Sequence, residues 1–580
     1  MKNYLVFLAV IPFFVGDSSV NLTQAQSKQN QPLLPVGSGV IATSRPEQNC
    51  ITPEMVAEIQ KTLDSLPREN HRLANTNYPL LAWPFDHALH DGLILGNYVD
   101  DDPTDAIKDY MGNPHSYDGH RGTDIGLYSF RDMDRGVRVI AAAAGEVIAT
   151  EFSQYDRNTR PPYPGDCNFV TVRHADGTFA LYCHFRKNAV TVEVGETVQA
   201  GQVLGLTGSS GNSTDAHLHL ELFERLGIIN RIRDPWHGTF NPLPSLWKEQ
   251  EPYVGTAPLR IYDMGVFTQA AAGGNLNVFP IEVFKEKPTQ PKVMGANEPF
   301  VAIWILLQGQ EGDPYTLEIL RPDNSVYSFV DFSLPFKFQG GWNYWVWSFA
   351  GAVSSADYGI WTARVLINGS NVKQVEFEVG AATVYPPRFW PIAGRSFRID
   401  GNVQKDTLRV SSLGGPVTYS LSNAPDFVTL ADSIVTVAAV SSQPNRSLYF
   451  EAVATDAVGL TDTMWYHIVD PSKPLDAPTS VEEASGKPAP GSFSLSQNYP
   501  NPFNPSTTIE FALPQRSDVT LKLYDILGRE VATLLEGELA AGVHQVDFNA
   551  EELASGVYIY RIEAEGSSRF VRARKLMLLK

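Results

Sequence analysis

Apolar and polar residues alternate along most of the second half of the chain, which is the pattern of half-buried β-strands. Residues 315–319 and 361–365 show this alternation, and a Pro-Asp-Asn turn signal at 322–324 lies between them. No segment of useful length has helical periodicity between about 255 and 380. We therefore predict a β-sandwich over residues 255–380.

The alternating pattern continues to the C-terminus. Residues 381–470 predict a second sandwich, with strands at 417–421 and 449–454. A linker rich in Pro, Ser, Ala and Glu spans 471–490. Residues 491–580 alternate again and predict a third, smaller sandwich, so the fold class is mainly β.

Three groups of side chains along the chain allow two interpretations each. Residues 455–462 are similar to the last turn of cadherin-like immunoglobulin-type repeats, which implies that Asp456 and Asp462 bind calcium, although turn chemistry explains them more simply. The acidic run 100–102 is either a calcium ligand set or a solvated rim. The aromatic cluster Trp342, Tyr344, Trp345 and Trp347 is either a sugar-stacking face or core, and aromatic residues on both strand faces favour core.

The first residues have the composition of a secretory signal. A basic start precedes an apolar run at 5–15, which is far shorter than a membrane-spanning helix, and Asp17 follows. We predict a signal peptide over 1–25 with cleavage after Ala25, the alternative being an N-terminal membrane anchor. Residues 26–78 are predicted to form a flexible lead and a helical segment that begins at Thr52. No later segment is long and apolar enough to span a bilayer.

A His-x-His sequence at 217–219 indicates a metal or substrate site. Successive side chains of a strand point to opposite faces, so His217 and His219 project to the same side, about 6.5–7 Å apart along the strand. The leucines at 218, 220 and 222 then face a core. At this spacing, one histidine can bind a metal while the other contacts a substrate atom or a metal-bound water.

Further ligand-type residues precede this strand. His120 and Asp124 are four residues apart, and the glycines at 119 and 122 favour a loop entering a strand over a helix. His184 lies between the two motifs. Two histidines, a carboxylate and two further histidines are the components of a catalytic zinc site, in which three protein ligands leave a position for water.

These motifs resemble the lysostaphin-type, or LytM-like, zinc metalloendopeptidases. The connecting segments 136–148, 194–205 and 208–214 resemble that family as well, and residues 83–85 resemble its tryptophan-proline entry. The resemblance implies an antiparallel β-sheet zinc peptidase domain over 79–250.

The same resemblance implies the role of each motif residue. His120, Asp124 and His219 bind one zinc ion, while His184 and His217 stabilise the activated water and the oxyanion. The departures from the family are Asp215-Ala216 and an insertion-like run over 151–165, which affect the shape of the cleft. His87 and His115 remain candidates for substrate contact or support of the site.

The C-terminal sequence is similar to type IX secretion sorting domains. The likeness rests on the segments 497–507, 521–530 and 556–561 and on a closing basic segment at 572–575. It implies export across the outer membrane by the type IX secretion machinery, so the protein is expected to be secreted or held at the cell surface.

Composition limits the partners. The chain has 580 residues and a formal net charge of −19, and 43% of its residues are apolar. This length predicts several folded domains, and this charge argues against nucleic acid as a partner. Three cysteines give no disulfide framework. A hairpin turning at 176–177 would place Val170 opposite Cys183, so a bridge from Cys167 to Cys183 would need a bulge.

The sequence therefore predicts a secreted zinc endopeptidase that hydrolyses peptide cross-links of peptidoglycan. One alternative keeps the chemistry and makes extracellular glycine-rich protein the substrate. Another is a non-catalytic surface adhesin or cell-wall binding protein. A metal-free regulator of another hydrolase is disfavoured because every motif ligand is present.

Overall fold

The structure is a computed structural model, and it is almost entirely β, as predicted. It describes residues 34–39, 61, 81–159, 166–226, 229–268, 284–296, 298, 301–347, 353–412, 414–441, 443, 445–476, 494–495, 503, 505–513, 517–525, 529–539, 542–550, 553–565 and 569–578. The chain divides into two compact units, residues 1–478 and 479–580. The predicted signal peptide, most of the predicted helical segment and Cys50 lie outside the described residues. In the described part, no helix is long and apolar enough to cross a membrane.

An eight-stranded antiparallel sheet forms the body of residues 81–250. Strand β1 (Leu34–Gly39) precedes it in the chain, and the region itself contains β2 (Leu93–Asn97), β3 (Thr123–Leu127), α1 (Phe130–Arg135), β4 (Arg138–Ile140), β5 (Gly145–Glu151), β6 (Phe169–Arg173), β7 (Thr178–Cys183), β8 (Thr197–Val198), β9 (Val203–Leu206), β10 (His217–Leu226) and β11 (Ile229–Ile232). The sheet order is β2-β3-β10-β7-β6-β5-β8, with β11 paired to β10, and β4 pairs with β9 separately.

The ten-residue strand β10 lies near the centre of this sheet. Its residues Leu218, Leu220 and Leu222 are buried in the main core together with Tyr182 and Trp236, as the alternation predicts. The His-x-His side chains therefore project from the opposite face.

Two sheets form the first sandwich. Its elements are β12 (Arg260–Thr268), β13 (Met294–Gly295), β14 (Val301–Gly309), β15 (Pro314–Leu320), β16 (Val326–Ser333), β17 (Phe338–Trp347), the 3-10 helix Ser355–Asp357, β18 (Gly359–Ile367) and β19 (Ser370–Gly380). The sheet orders are β1-β17-β14-β12 and β13-β19-β18-β15-β16. Strand β1 thus lies within the segment that was predicted to be a flexible lead. Trp342 and Trp345 are buried, which makes them core residues.

The second sandwich is smaller. It contains β20 (Arg388–Phe389), β21 (Ser396–Arg398), β22 (Gln404–Thr407), β23 (Val410–Ser411), β24 (Thr418–Ser422), β25 (Val428–Ala431), β26 (Ile434–Val437), β27 (Ser447–Thr455) and β28 (Thr461–Val469). The sheets have the orders β21-β28-β27-β24 and β22-β26-β25, and β20 pairs with β23. Their inner faces enclose a core that includes Phe450 and Tyr466.

The second unit has its own core. It contains β29 (Ser494–Leu495), β30 (Ser506–Leu513), β31 (Ser517–Tyr524), β32 (Glu530–Leu539), β33 (Gly542–Asn549), β34 (Gly556–Glu565) and β35 (Arg569–Leu578). The sheet orders are β29-β30-β33 and β32-β31-β34-β35. Phe511, Leu521 and Ile562 are fully buried in it.

The hairpin between β6 and β7 corrects one sequence expectation. Cys183 pairs with Phe169, not with Val170, because His174 and Thr178 close a three-residue loop where a two-residue turn was expected. Cys167 and Cys183 are both buried, and in the described part of the chain they are not bonded to each other.

Candidate functional site

The pairing of β3 with β10 brings the two sequence motifs together. Asp124 on β3 is the direct partner of His219 on β10, and Gly126 is the partner of His217. His120 precedes β3, and its Nε2 lies 3.1 Å from Asp124 Oδ1. His219 Nδ1 lies 2.9 Å from the same oxygen and 3.2 Å from His120 Nε2. Among the described residues, these three form the single group of His, Cys, Asp or Glu side chains close enough to hold a metal ion.

The second nitrogen of each imidazole in this group lies near an oxygen atom of a neighbouring residue. His120 Nδ1 lies 2.6 Å from the carbonyl oxygen of Tyr98, which can only accept a hydrogen bond. His219 Nε2 lies 3.9 Å from a carboxylate oxygen of Glu221. A metal ion bound beside Asp124 would be met by the lone pairs of His120 Nε2 and His219 Nδ1. Metal-binding histidines generally donate the other ring N–H to a carbonyl or carboxylate, as His120 does to Tyr98 O, so the donor set fits a metal ion.

Two neighbours support the group in ways that the sequence motifs do not indicate. Asn97 Nδ2 donates to Asp124 Oδ2 at 3.0 Å, because the bulged pairing of β2 with β3 places the two residues opposite each other. Gly122 lies so close to the His219 ring that a Cβ there would be 2.7 Å from Nε2. The glycine therefore leaves room for the imidazole. The neighbouring Arg121 forms an ion pair with Glu221 at 2.7 Å.

His184 and His217 lie beside this group. Their ring centroids are 4.4 Å apart, and His217 Nε2 is 3.8 Å from Asp124 Oδ1. His184 Nδ1 donates to Ser210 O at 2.7 Å, and His217 Nδ1 donates to Asp215 O at 2.8 Å. Both rings are thus oriented by backbone carbonyls. His184 has a φ of 73°, a left-handed conformation that is costly for a residue with a side chain and is common at functional sites.

The electrostatics favour an ionised carboxylate at the centre. Burial alone would raise the pKa of Asp124, but the nearby His120 charge and hydrogen bonds from His120 and His219 hold that pKa well below its usual range. Burial likewise opposes ionisation of Glu221, and its contacts with His219 and Arg121 lower its pKa. The site therefore keeps two buried carboxylates charged beside its imidazoles.

The remaining histidine candidates lie outside the group. His115 is fully buried against the Tyr98 ring, with ring centroids 5.4 Å apart, and burial lowers its pKa to about 3. His87 Nδ1 pairs with Asp86 at 2.6 Å. His115 packs against the residue whose carbonyl accepts from His120.

A helical turn after β12 contacts both loops at the edge of the site. Lys285 Nζ donates to Thr214 O at 2.8 Å and lies 3.2 Å from Asp215 Oδ1, within the loop that leads to His217. The adjacent Glu286 accepts from Arg157 Nε at 2.9 Å, in the predicted insertion over 151–165. This turn lies beyond the predicted peptidase domain, so no local sequence signal indicated its role.

Comparison with known families defines the class of the two regions. Residues 118–230 match the profile of Peptidase family M23, and residues 497–576 match that of the Secretion system C-terminal sorting domain. The chain therefore contains a domain of the M23 metallopeptidase family and a type IX sorting domain, as the resemblances implied. The sorting domain indicates export to the cell surface or the medium.

Individual relatives cover only part of this chain. It is 33% identical to Peptidoglycan DD-endopeptidase ShyA of Vibrio cholerae over 114 residues. Those residues make up 20% of this chain and 22% of the relative. It is 30% identical to Glycyl-glycine endopeptidase ALE-1 of Staphylococcus capitis over 147 residues. Those residues make up 25% of this chain and 35% of the relative. The chain thus spans about a fifth to a third of these relatives. The solved catalytic domain of lysostaphin from Staphylococcus simulans is 25% identical, with a TM-score of 0.16, covering 24% of this chain and 84% of that one.

Proposed function

We propose that this protein is an exported zinc endopeptidase that hydrolyses peptide bonds in the cross-links of peptidoglycan. The observation that carries the proposal is the convergence of two imidazole nitrogens and one carboxylate oxygen within 3.2 Å of one another on adjoining elements. Ligands bound about 2.0–2.1 Å from a tetrahedral zinc ion are about 3.3 Å apart, close to this spacing. The names of the relatives ShyA and ALE-1 support the substrate class.

Each side chain has a role in this proposal. His120, Asp124 and His219 hold the metal, which when bound polarises the amide carbonyl and activates a water molecule. His184 and His217 each donate Nδ1–H to a backbone carbonyl, so Nε2 is the nitrogen that exchanges protons with the reacting groups. In their protonated forms, the two rings stabilise the negative charge of the tetrahedral intermediate. Removing one such donor generally lowers the rate about a hundred- to a thousandfold.

Two substitutions test this division of roles. His219→Ala is expected to abolish both zinc binding and activity, because it removes a ligand. His217→Ala is expected to retain zinc and to lose at least about a hundredfold in turnover. Zinc content after dialysis is measured by elemental analysis, and turnover is measured on purified wall by mass spectrometry of the products. The exposed His237 provides the control substitution, His237→Ala.

Several outcomes would contradict the proposal. A dialysed protein without near-stoichiometric zinc would exclude the mechanism, and activity that survives a chelator would favour the adhesin or wall-binding alternative. Cleavage of glycine-rich protein without cleavage of wall would keep the chemistry and replace the substrate by the first alternative.

A further inference from the structure

An open groove of about 800 Å³ lies between the peptidase domain and the second sandwich. The peptidase side contributes Lys187, and the sandwich side contributes Lys405 and Arg409. None of the described residues that line the groove is acidic, although the chain as a whole has a net charge of −19. Within the described part of the chain, these three cations make no ion pair with a carboxylate. The groove is therefore a basic surface on an acidic protein, and it is complementary to an anionic ligand.

Two exposed aromatic side chains line the same groove. Trp390 is 52% exposed and Tyr155 is 46% exposed, whereas Trp342 and Trp345 are buried in the first sandwich. A solvent-facing aromatic ring provides a flat apolar surface on which the apolar face of a sugar ring can pack. The side-chain amides of Asn188 and Gln404, also in the lining, can donate to and accept from hydroxyl groups.

Hydrogen bonds connect the groove to the candidate site. The buried carboxylate of Asp156 accepts from Lys187 N at 2.8 Å and from Gly394 N at 3.1 Å, one on each side of the groove. The backbone carbonyl of Asp156 accepts from Ser209 N at 3.0 Å. Ser210, the next residue, accepts from His184. A ligand in the groove would therefore lie on residues that also position a loop of the site.

We propose that this groove binds an anionic glycan strand, that is, a polysaccharide with carboxylate groups. The aromatic rings pack on the sugars, the amides bind hydroxyl groups, and the three cations bind carboxylates. Because the proposal rests on the proposed function, the glycan is the sugar backbone of the same wall polymer, and the carboxylates are those of its sugars that carry no peptide. An acidic peptide would satisfy the cations, but it would leave the two exposed rings without a matching ligand surface.

Binding is measured with fluorescently labelled glycan strands from which an amidase has removed the peptides. The full chain carries His219→Ala, so that cleavage plays no part. We expect Trp390→Ala to weaken binding at least about tenfold. The double variant Lys405→Gln/Arg409→Gln should weaken it by a similar factor and reduce its dependence on salt. The matched control Lys248→Gln/Lys292→Gln changes the net charge equally at two exposed lysines outside the groove and should bind like the parent.

Three results would overturn the proposal. In the first, the groove variants bind the glycan as tightly as the parent. In the second, the control Lys248→Gln/Lys292→Gln weakens binding as much as the groove variants do. The third is equally tight binding of poly-glutamate, which would show that the groove selects charge alone.

A separate assay distinguishes this proposal from the proposed function. In the otherwise unaltered chain, the groove variants should raise KM for intact wall and leave cleavage of a short cross-link peptide unchanged. If the parent chain cleaves wall normally but does not bind the glycan, the groove proposal alone is refuted. Glycan binding in a protein that cleaves neither substrate would refute the proposed function alone.

Discussion

At the scale of single residues, the orientation of the imidazoles depends on backbone carbonyls. Tyr98 O, Ser210 O and Asp215 O each accept from the Nδ1 of a different histidine of the site. The sequence motifs identify those histidines, but they do not reveal which nitrogen faces the site. That choice is made by main-chain atoms, which are present at every residue and therefore leave no trace in the sequence.

Asn97 is expected to contribute to metal affinity without touching the metal. Its Nδ2 donates to Asp124 Oδ2 at 3.0 Å, which holds the carboxylate in position for its other oxygen to face the two imidazoles. Loss of a partner of this kind typically costs about 10- to 100-fold in metal affinity or activity. We predict a loss of this size for Asn97→Ala, measured by competition for zinc with a chromogenic chelator. The exposed Asn402→Ala serves as control, and equal affinities for both variants would refute the prediction.

At the scale of elements, the site depends on the β3–β10 register and on two loops held from outside the domain. The helical turn with Lys285 and Glu286 contacts the 213–216 loop and the 157–159 segment together. Arg157, which Glu286 contacts, also pairs with Asp134 at 2.7 Å. This buried ion-pair network joins helix α1, the insertion and the sandwich region.

Lys285→Met is expected to lower kcat with little effect on KM. The substitution keeps the length of the side chain but removes the cation that binds Thr214 O and Asp215, whose own carbonyl orients His217. We expect a decrease in kcat of about tenfold, as a small displacement of a catalytic group can cost more than this. Lys285→Arg should restore part of the rate.

The control for this prediction lies two residues away. Lys287 pairs with Asp263 at 2.6 Å and makes no contact with either loop in the described residues. Lys287→Met should therefore leave kcat unchanged. If both methionine variants retain full kcat, or if both lose it equally, Lys285 has no specific positioning role.

The sequence predicted features that depend on local spacing and missed those that depend on distant contacts. Strand alternation gave the mainly β class, and the motif spacing gave the residues that β3 and β10 bring together. Lys285 lies about 70 residues after the loop that it contacts, and Trp390 lines the groove from the second sandwich. No local sequence pattern could therefore indicate the roles of these two residues. The Cys183 pairing differed by one residue because a single extra loop residue changes the register of a hairpin.

At the scale of the whole molecule, two arginines link the peptidase domain to the second sandwich within the first unit. Arg446 of the second sandwich is 1% exposed and donates to Thr191 O of the peptidase domain at 2.5 Å, and it pairs with Glu196 at 2.8 Å. Arg131 on helix α1 pairs with Asp462 on β28. These contacts couple the peptidase domain to the second sandwich, so the groove between them has two connected walls.

His467 makes the stability of this unit dependent on pH. The residue is buried on β28, stacked on Tyr449, and in the described structure neither ring nitrogen has a hydrogen-bond partner. Burial, together with the charges of Arg186 and Arg398, lowers its pKa to about 3. In the unfolded chain the pKa is about 6.5, so the unfolded state binds a proton first as the pH falls. Its contribution to stability is therefore complete above about pH 6.5 and is lost progressively as the pH falls towards 3.

Substitution by phenylalanine isolates this contribution. His467→Phe retains an aromatic ring that can stack on Tyr449 but removes the titrating group. Between pH 6 and 4, the unfolding free energy of the parent should fall more steeply than that of the variant, by about 1.4 kcal/mol per pH unit. Urea unfolding monitored by tryptophan fluorescence at several pH values measures the difference. Parallel curves for the two proteins would mean that His467 is protonated in the folded state or contributes nothing to acid sensitivity.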